Sequence, residues 1–208
     1  MRIIRLPGIH HDANAVIFSG SESNILVDAG TTWYQMLQVE RIKGHLNQKG
    51  NSEQTLDRIL LTSRRYPFAG AAKHISEANG NIPIHIHSDA ISVLETGDFY
   101  STWANRYDSD MPSTNCEPIA QGDTFGLGDG EIIAISLPGH CSDGMGYFEQ
   151  NRGVLISGAI IPRADSPCRW DMPGGSLPEL ITSLKTIQDL NPSSIVPSRG
   201  PAIRGAQR

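Results

Sequence analysis

Apolar and polar residues alternate in short runs over the first third of the chain, with the two-residue period of half-buried strands. Residues 2–6, 13–18 and 24–28 read as three strands, the last two joined across the turn-rich Ser19-Gly20-Ser21-Glu22-Ser23. Asp28-Ala29-Gly30 ends the third strand, and Thr31 or Thr32 is placed to cap the helix that follows. The period then lengthens, and Trp33, Met36, Leu37, Val39, Ile42 and Leu46 form a helical stripe over 33–46. A buried strand is expected at 57–61, a helix at 69–79 stopped by Asn79-Gly80, and a strand at 82–87. Ser88-Asp89 is placed to cap a short helix running to Leu94. The stretch 97–118 is aromatic and polar, and fits either an irregular helix or a cover over a cavity. Strands resume at 131–137, 145–148 and 154–157, then a helix at 176–190 leads into a strand at 194–197. Runs of strands broken by single helices, in two successive halves, predict two sheets with helices outside them.

Composition narrows this picture. The 208 residues suit one domain over 1–208, with no repeat, linker or low-complexity segment to divide it. Lys and Arg number 17 against 22 Asp and Glu, a formal net charge of -5. No basic run or stripe accompanies it, so nucleic acid is not an expected partner. No apolar run has the length of a membrane span, and the first residues lack the apolar core of a secretory signal. Three cysteines, Cys116, Cys141 and Cys168, fit neither a disulfide framework nor a zinc-ribbon spacing. A reduced, cytoplasmic protein is expected.

Specific chemistry enters with Leu60-Leu61-Thr62-Ser63-Arg64-Arg65-Tyr66-Pro67-Phe68-Ala69-Gly70. This segment resembles the strand-to-helix motif T-H-x-H-x-D-H-x-G-G of the metallo-β-lactamase superfamily with its coordinating side chains replaced. Other landmarks of that superfamily follow in order. Asn14-Ala15-Val16-Ile17 resembles its opening strand, and Ile25-Leu26-Val27-Asp28-Ala29-Gly30 its I-L-V-D-T-G turn. Pro138-Gly139-His140 resembles the P-G-H-T loop, and Leu155-Ile156-Ser157-Gly158-Ala159 the strand that ends in G-D. Val196-Pro197-Ser198-Arg199-Gly200-Pro201 resembles the closing P-G-H-G-P loop. The resemblance covers nearly the whole chain and implies an α/β (α+β) fold, a four-layer αββα sandwich. It also places Ser63, Arg65, Pro67, Phe68, Ala159 and Arg199 on positions that hold metal in the family. Of the metal-coordinating positions the family uses, only the one at His140 keeps a ligating imidazole, and one imidazole does not make a catalytic zinc site.

Each candidate has a functional and a structural reading. Arg65 and Arg199 would bring fixed positive charge to the former metal cavity and hold a carboxylate or phosphate by forked hydrogen bonds. Alternatively they fill the void and pair with Asp28 or another acid. His140 is either a proton-transfer group or a packed histidine on a backbone carbonyl. Cys141 is expected to be packing. His85 and His87 share one face of a strand and could join His140, or His10 and His11, in a relocated metal site. Tyr66, Phe68, Phe99, Tyr100, Trp103 and Trp170 are candidates for an apolar pocket lining.

The leading expectation is a metal-free relative of these hydrolases, without cofactor, that binds or transforms a small anionic or carbonyl-bearing molecule. Ser63, Arg65, Arg199, Asp28 and Phe68 would form the site, with His140 as the catalytic candidate. The alternatives are a noncatalytic scaffold or partner subunit, and a metal-dependent hydrolase using His85, His87 and His140.

Overall fold

A computed structural model describes residues 1–47 and 54–205. Strands β1 (Arg2–Leu6), β2 (Ala15–Ser19) and β3 (Asn24–Val27) pair antiparallel. Strands β4 (Arg58–Leu60), β5 (Ile84–His87) and β6 (Glu117–Ile119) extend the sheet in parallel, in the order β1-β2-β3-β4-β5-β6. The second sheet joins β7 (Thr124–Gly126), β8 (Glu131–Ser136), β9 (Met145–Glu149) and β10 (Val154–Ile156) antiparallel. Next to β10 lies β11 (Ser194–Val196), parallel, and then β12 (Ile203–Arg204), antiparallel.

The alternation seen in the sequence sorts side chains into three layers of core. Ile17, Leu26, Ile59 and Leu61 point outward from the first sheet and pack with Val39, Ile42, Leu46 and Ile75. Those partners belong to α1 (Gln35–Leu46) and α3 (Ala72–Ala78), and α4 (Ser88–Glu95) adds Ala90 and Leu94. Val16, Phe18, Ile25, Val27 and Leu60 point the other way and meet Ile132, Ala134, Met145, Tyr147 and Ile156 between the sheets. Ile135, Phe148, Leu155 and Ile195 leave the second sheet's outer face to pack under Leu180 and Ile187 of α5 (Leu177–Leu190). The result is the expected αββα sandwich. Among the described residues no helix is long and apolar enough to cross a membrane.

Several boundaries differ from the sequence pattern. The helix expected from Trp33 opens as a 3-10 turn, Thr32–Tyr34, before α1. Thr31 does not cap it, because its hydroxyl donates to Asp12 Oδ1 at 2.6 Å. The helix expected at 69–79 is two pieces, α2 (Tyr66–Ala69) and α3. Pro67 is the second residue of the first, as a residue without an N–H is tolerated in a helix's opening turn. Gly70 follows it, and any Cβ there would stand 2.9 Å from both the Tyr66 ring and the Tyr66 carbonyl. Ser88 is helical, and it is the His87 ring that caps α4 by accepting from the Asp89 N–H. β6, β7 and β12 were not apparent in the sequence: they are two or three residues long. Pro118 sits in β6, an edge strand, where the lack of a donor is tolerated.

Leu26 is fully buried between the first sheet and its helices. Leu26→Ala should therefore cost about 2–5 kcal/mol in urea-unfolding free energy. Ile181→Ala on the exposed side of α5 should stay within about 0.5 kcal/mol of the parent.

Candidate functional site

The loops after β4, β8, β10 and β11 carry the altered family positions, and they meet at one edge of the sandwich. The segment after β4 is anchored first. Asp28 leaves β3 in a left-handed conformation, φ 60°, which aims its carboxylate at the next strand's end. It accepts from the Thr62 N–H at 2.8 Å and from the Thr62 hydroxyl at 2.8 Å. The Thr62 carbonyl in turn accepts from the Met145 N–H at 2.9 Å, and the Leu61 carbonyl accepts from the buried Tyr147 hydroxyl at 2.9 Å. One peptide segment thereby ties the two sheets together. Gly158 is the close approach that permits this: at φ 55° its missing Cβ would lie 2.7 Å from Thr62 Cβ.

The next residues split their duties. Arg64 turns inward, donating from its backbone N–H to Asp143 Oδ2 at 2.6 Å and pairing with Oδ1 at 3.2 Å. Asp143 is wholly buried, so the pair crosses between the β4 and β8 loops out of water. Arg65 turns toward a cavity of about 210 Å³. Its two Nη groups donate to the Ser101 and Pro173 carbonyls, each at 2.7 Å, and its guanidinium lies over the Trp103 ring at 4.7 Å. Arg65 is only 2% exposed, and its Nε has no partner. Burial lowers its pKa, yet a guanidinium remains charged. Among the described residues no carboxylate pairs with it.

Phe68, His140, Ala159 and Arg199 line the same cavity, joined by Trp103 and Tyr107 from the segment at 97–118. Arg199 donates from Nη1 and Nη2 to the His10 and His11 carbonyls at 3.2 and 2.6 Å. Its loop is set by Asn14, whose Nδ2 donates to the Pro197 and Gly200 carbonyls, each at 2.9 Å. His140 Nδ1 stands 3.0 Å from the Arg169 carbonyl. A carbonyl only accepts, so Nδ1 carries the proton and Nε2 keeps a lone pair. Burial also holds the ring's pKa below its ordinary value, which keeps the imidazole neutral near pH 7.

The expected site thus separates into wall and support. Arg65, Arg199, Phe68 and His140 are on the wall. Ser63 and Asp28 stand behind it: Ser63 is buried with its hydroxyl 3.3 Å from Cys141 Sγ, and Asp28 is committed to Thr62. Cys141 is fully buried, and burial raises its pKa. His85 packs edge-on to Phe125 and lies 3.5 Å from Glu117, while His87 caps α4. Neither lines the cavity that contains His140. Among the described residues no group of three or more His, Cys, Asp and Glu is placed to hold a metal ion.

Of the expected aromatics, Tyr66 is buried and hydrogen-bonds to Ser109 at 2.8 Å, Phe99 packs against the outer core, and Tyr100 and Trp170 are exposed. Tyr107, Arg169 and Met172 line the cavity but did not stand out in the sequence. Tyr107 shares the aromatic segment with Trp103, a signal that could have found it. The other two depend on how a loop folds back.

Burial raises the Asp28 pKa to about 7, above its ordinary 3.8, despite the lowering effect of the Thr62 hydrogen bonds. Between those values the folded protein holds a proton that the unfolded chain releases, so stability should fall as pH rises from about 4 to 7 and then level off. Asp28→Asn should flatten that slope in urea titrations run across the same range. Asp143→Ala strands the Arg64 charge and should cost about 3–5 kcal/mol by the same measurement.

The profile of the Metallo-beta-lactamase superfamily matches residues 10–199. An uncharacterized protein of Aquifex aeolicus is 39% identical over 69 residues, 33% of this chain and only 32% of that relative. The acyl-coenzyme A thioesterase MBLAC2 of Gallus gallus is 21% identical over 194 residues, 86% of this chain and 67% of that protein. Among solved structures, BLEG-1 B3 metallo-beta-lactamase superposes with a TM-score of 0.81 at 20% identity, covering 99% of this chain and 95% of that one. TTHA1623 in a di-iron-bound form gives 0.77 at 22% identity, covering 100% and 96%. Those two likenesses establish the fold, and the profile match over most of the length establishes the lineage. The chain belongs to the metallo-β-lactamase superfamily, as a divergent member lacking nearly all of its metal-ligand motif.

Proposed function

We propose that the cavity at the former metal position binds or transforms, without metal, a small anionic or carbonyl-bearing molecule held by Arg65 and Arg199. The carrying observation is Arg65, a guanidinium almost wholly buried at a cavity, with an unpartnered Nε and, among the described residues, no carboxylate in an ion pair with it. Uncompensated buried charge is costly, and an anionic ligand would supply the missing counter-charge through a forked hydrogen bond.

The donor set supports the metal-independent part of this reading. Pro67, Phe68 and Ala159 offer no side-chain lone pair, and a protonated guanidinium repels a cation. His140 is the one imidazole on the wall, and it uses Nδ1 on a backbone carbonyl. These side chains do not fit a dinuclear centre. If the protein is a hydrolase, His140 Nε2 is the acceptor available to take a proton from an attacking water. The two arginines would stabilise charge developing on a carbonyl oxygen. One relative is named an acyl-coenzyme A thioesterase, and a thioester contains a carbonyl, which is consistent with this chemistry. The exposed stripe of Leu177, Ile181 and Leu184 on α5 favours a second reading, a partner subunit that keeps only the fold.

Native mass spectrometry of tag-free protein is expected to show the bare polypeptide or an organic adduct, and stoichiometric zinc or iron would overturn the metal-free reading. In calorimetric titrations with acetate, phenylacetate and inorganic phosphate, at least one anion should bind. Arg65→Ala and Arg199→Ala should each weaken that binding about tenfold, the worth of one charged hydrogen bond. Unchanged affinity in both variants would remove the arginines from the site.

A further inference from the structure

Building on the anion-pocket reading, we infer that the cavity selects a compact apolar monocarboxylate, a planar carboxylate on a small aromatic or branched body, over phosphate and phosphate esters. Size is the first argument. At about 210 Å³ the cavity falls below the roughly 300–1,000 Å³ of pockets that enclose drug-sized ligands. A nucleotide or an entire coenzyme A ester therefore does not fit inside.

The arrangement of donors is the second. Arg65 and Arg199 each commit two N–H groups to fixed backbone carbonyls, those of Ser101 and Pro173 and those of His10 and His11. What remains on Arg65 is the buried, unpartnered Nε–H and the second N–H of each Nη group, all in the plane of the guanidinium. A planar edge of this kind matches the two coplanar oxygens of a carboxylate. A phosphate monoester presents three terminal oxygens and inorganic phosphate four, arranged tetrahedrally, with more charge to desolvate. His140 adds a lone pair on Nε2 and no further donor while it is neutral.

The walls are the third. Pro67, Phe68, Trp103, Tyr107, Pro162 and Met172 surround the charged edge with apolar and aromatic surface. Such a lining rewards burial of a hydrocarbon body and penalises a fully hydrated anion. Trp103 adds rigidity. Its backbone is left-handed, φ 64°, an uncommon conformation for a bulky residue, and its ring is stacked by Arg65 at 4.7 Å and Arg106 at 5.2 Å. Strain of this sort persists where the surroundings enforce it. The Trp103 ring and the Ser101 and Pro173 carbonyls together hold the Arg65 guanidinium before any ligand arrives, and that lowers the entropy lost on binding.

The test is isothermal titration calorimetry on the tag-free protein with phenylacetate, its neutral isostere phenylacetamide, and inorganic phosphate. Phenylacetate should bind one to one, at least about tenfold more tightly than either of the others, the difference expected of one charged hydrogen-bonded pair. Arg65→Lys keeps the charge but loses the planar edge, and should bind phenylacetate about tenfold more weakly. If either Arg65 variant fails to fold, Arg199→Ala, in a half-buried residue, serves for the same comparison and should show a similar loss. Phosphate binding as tightly as phenylacetate would overturn the carboxylate preference while leaving the anion pocket standing. Phenylacetamide binding equally well, or no probe binding at all, would overturn both. Full affinity in Arg65→Lys and in Arg199→Ala would move the site elsewhere.

Discussion

The structure depends on the backbone at Thr62. Its N–H and hydroxyl are held by the buried Asp28 carboxylate, and its carbonyl is held by the Met145 N–H. These bonds join the end of β4 to the second sheet at the point where two sets of loops converge. Everything that forms the cavity on the β4 side follows within six residues of this junction. With Thr62 set, the bend that follows directs Arg64 inward to Asp143 and Arg65 outward to the cavity. The left-handed turn at Asp28 and the bare Cα of Gly158 are the local conditions that allow so close a junction.

A family scaffold that positions metal ligands has here been filled with groups of another character. The positions that match the family's ligand motifs hold Pro67, Phe68 and Ala159, which supply hydrocarbon, and Arg65 and Arg199, which supply fixed positive charge. A divalent cation and a pair of guanidinium groups both create a positive potential in a cleft, but they act through different geometry. A metal accepts lone pairs from several directions and activates water. A guanidinium offers N–H donors in one plane and activates nothing by itself. The backbone carbonyls of Ser101, Pro173, His10 and His11 hold the arginines in place without neutralising them. Two loops remote in sequence, one at Ser101 and one at Pro173, are therefore bridged by the Arg65 side chain.

Much of the architecture was legible because it rests on period and order. Alternation in 13–18, 24–28 and 131–137 reports which residues face helices and which face the opposite sheet, and the core follows that parity strand by strand. The short edge strands were not legible, since two or three residues such as Ile203–Arg204 carry no period. The break between α2 and α3 was missed for a steric reason: the contact of Gly70 with the Tyr66 ring exists only once both are folded. In the site, the motif landmarks pointed to Arg65, Arg199, His140 and Phe68, which share one cavity. They could not show that Ser63 and Asp28 sit behind its wall, nor that Tyr107, Arg169 and Met172 complete it.

The sequence by itself determined the two-sheet pattern, the lineage and the chemical types at each former ligand position, because these are properties of residue identity and spacing along the chain. The tertiary structure decided which charges find partners. Arg64 and Arg65 are adjacent and identical in type, yet one is paired with Asp143 and the other, among the described residues, has no ion-pair partner and lies beside an apolar cavity. That difference arises from which loop each side chain meets after the sheets have packed, and pairing between residues almost eighty positions apart is invisible until the chain brings them together.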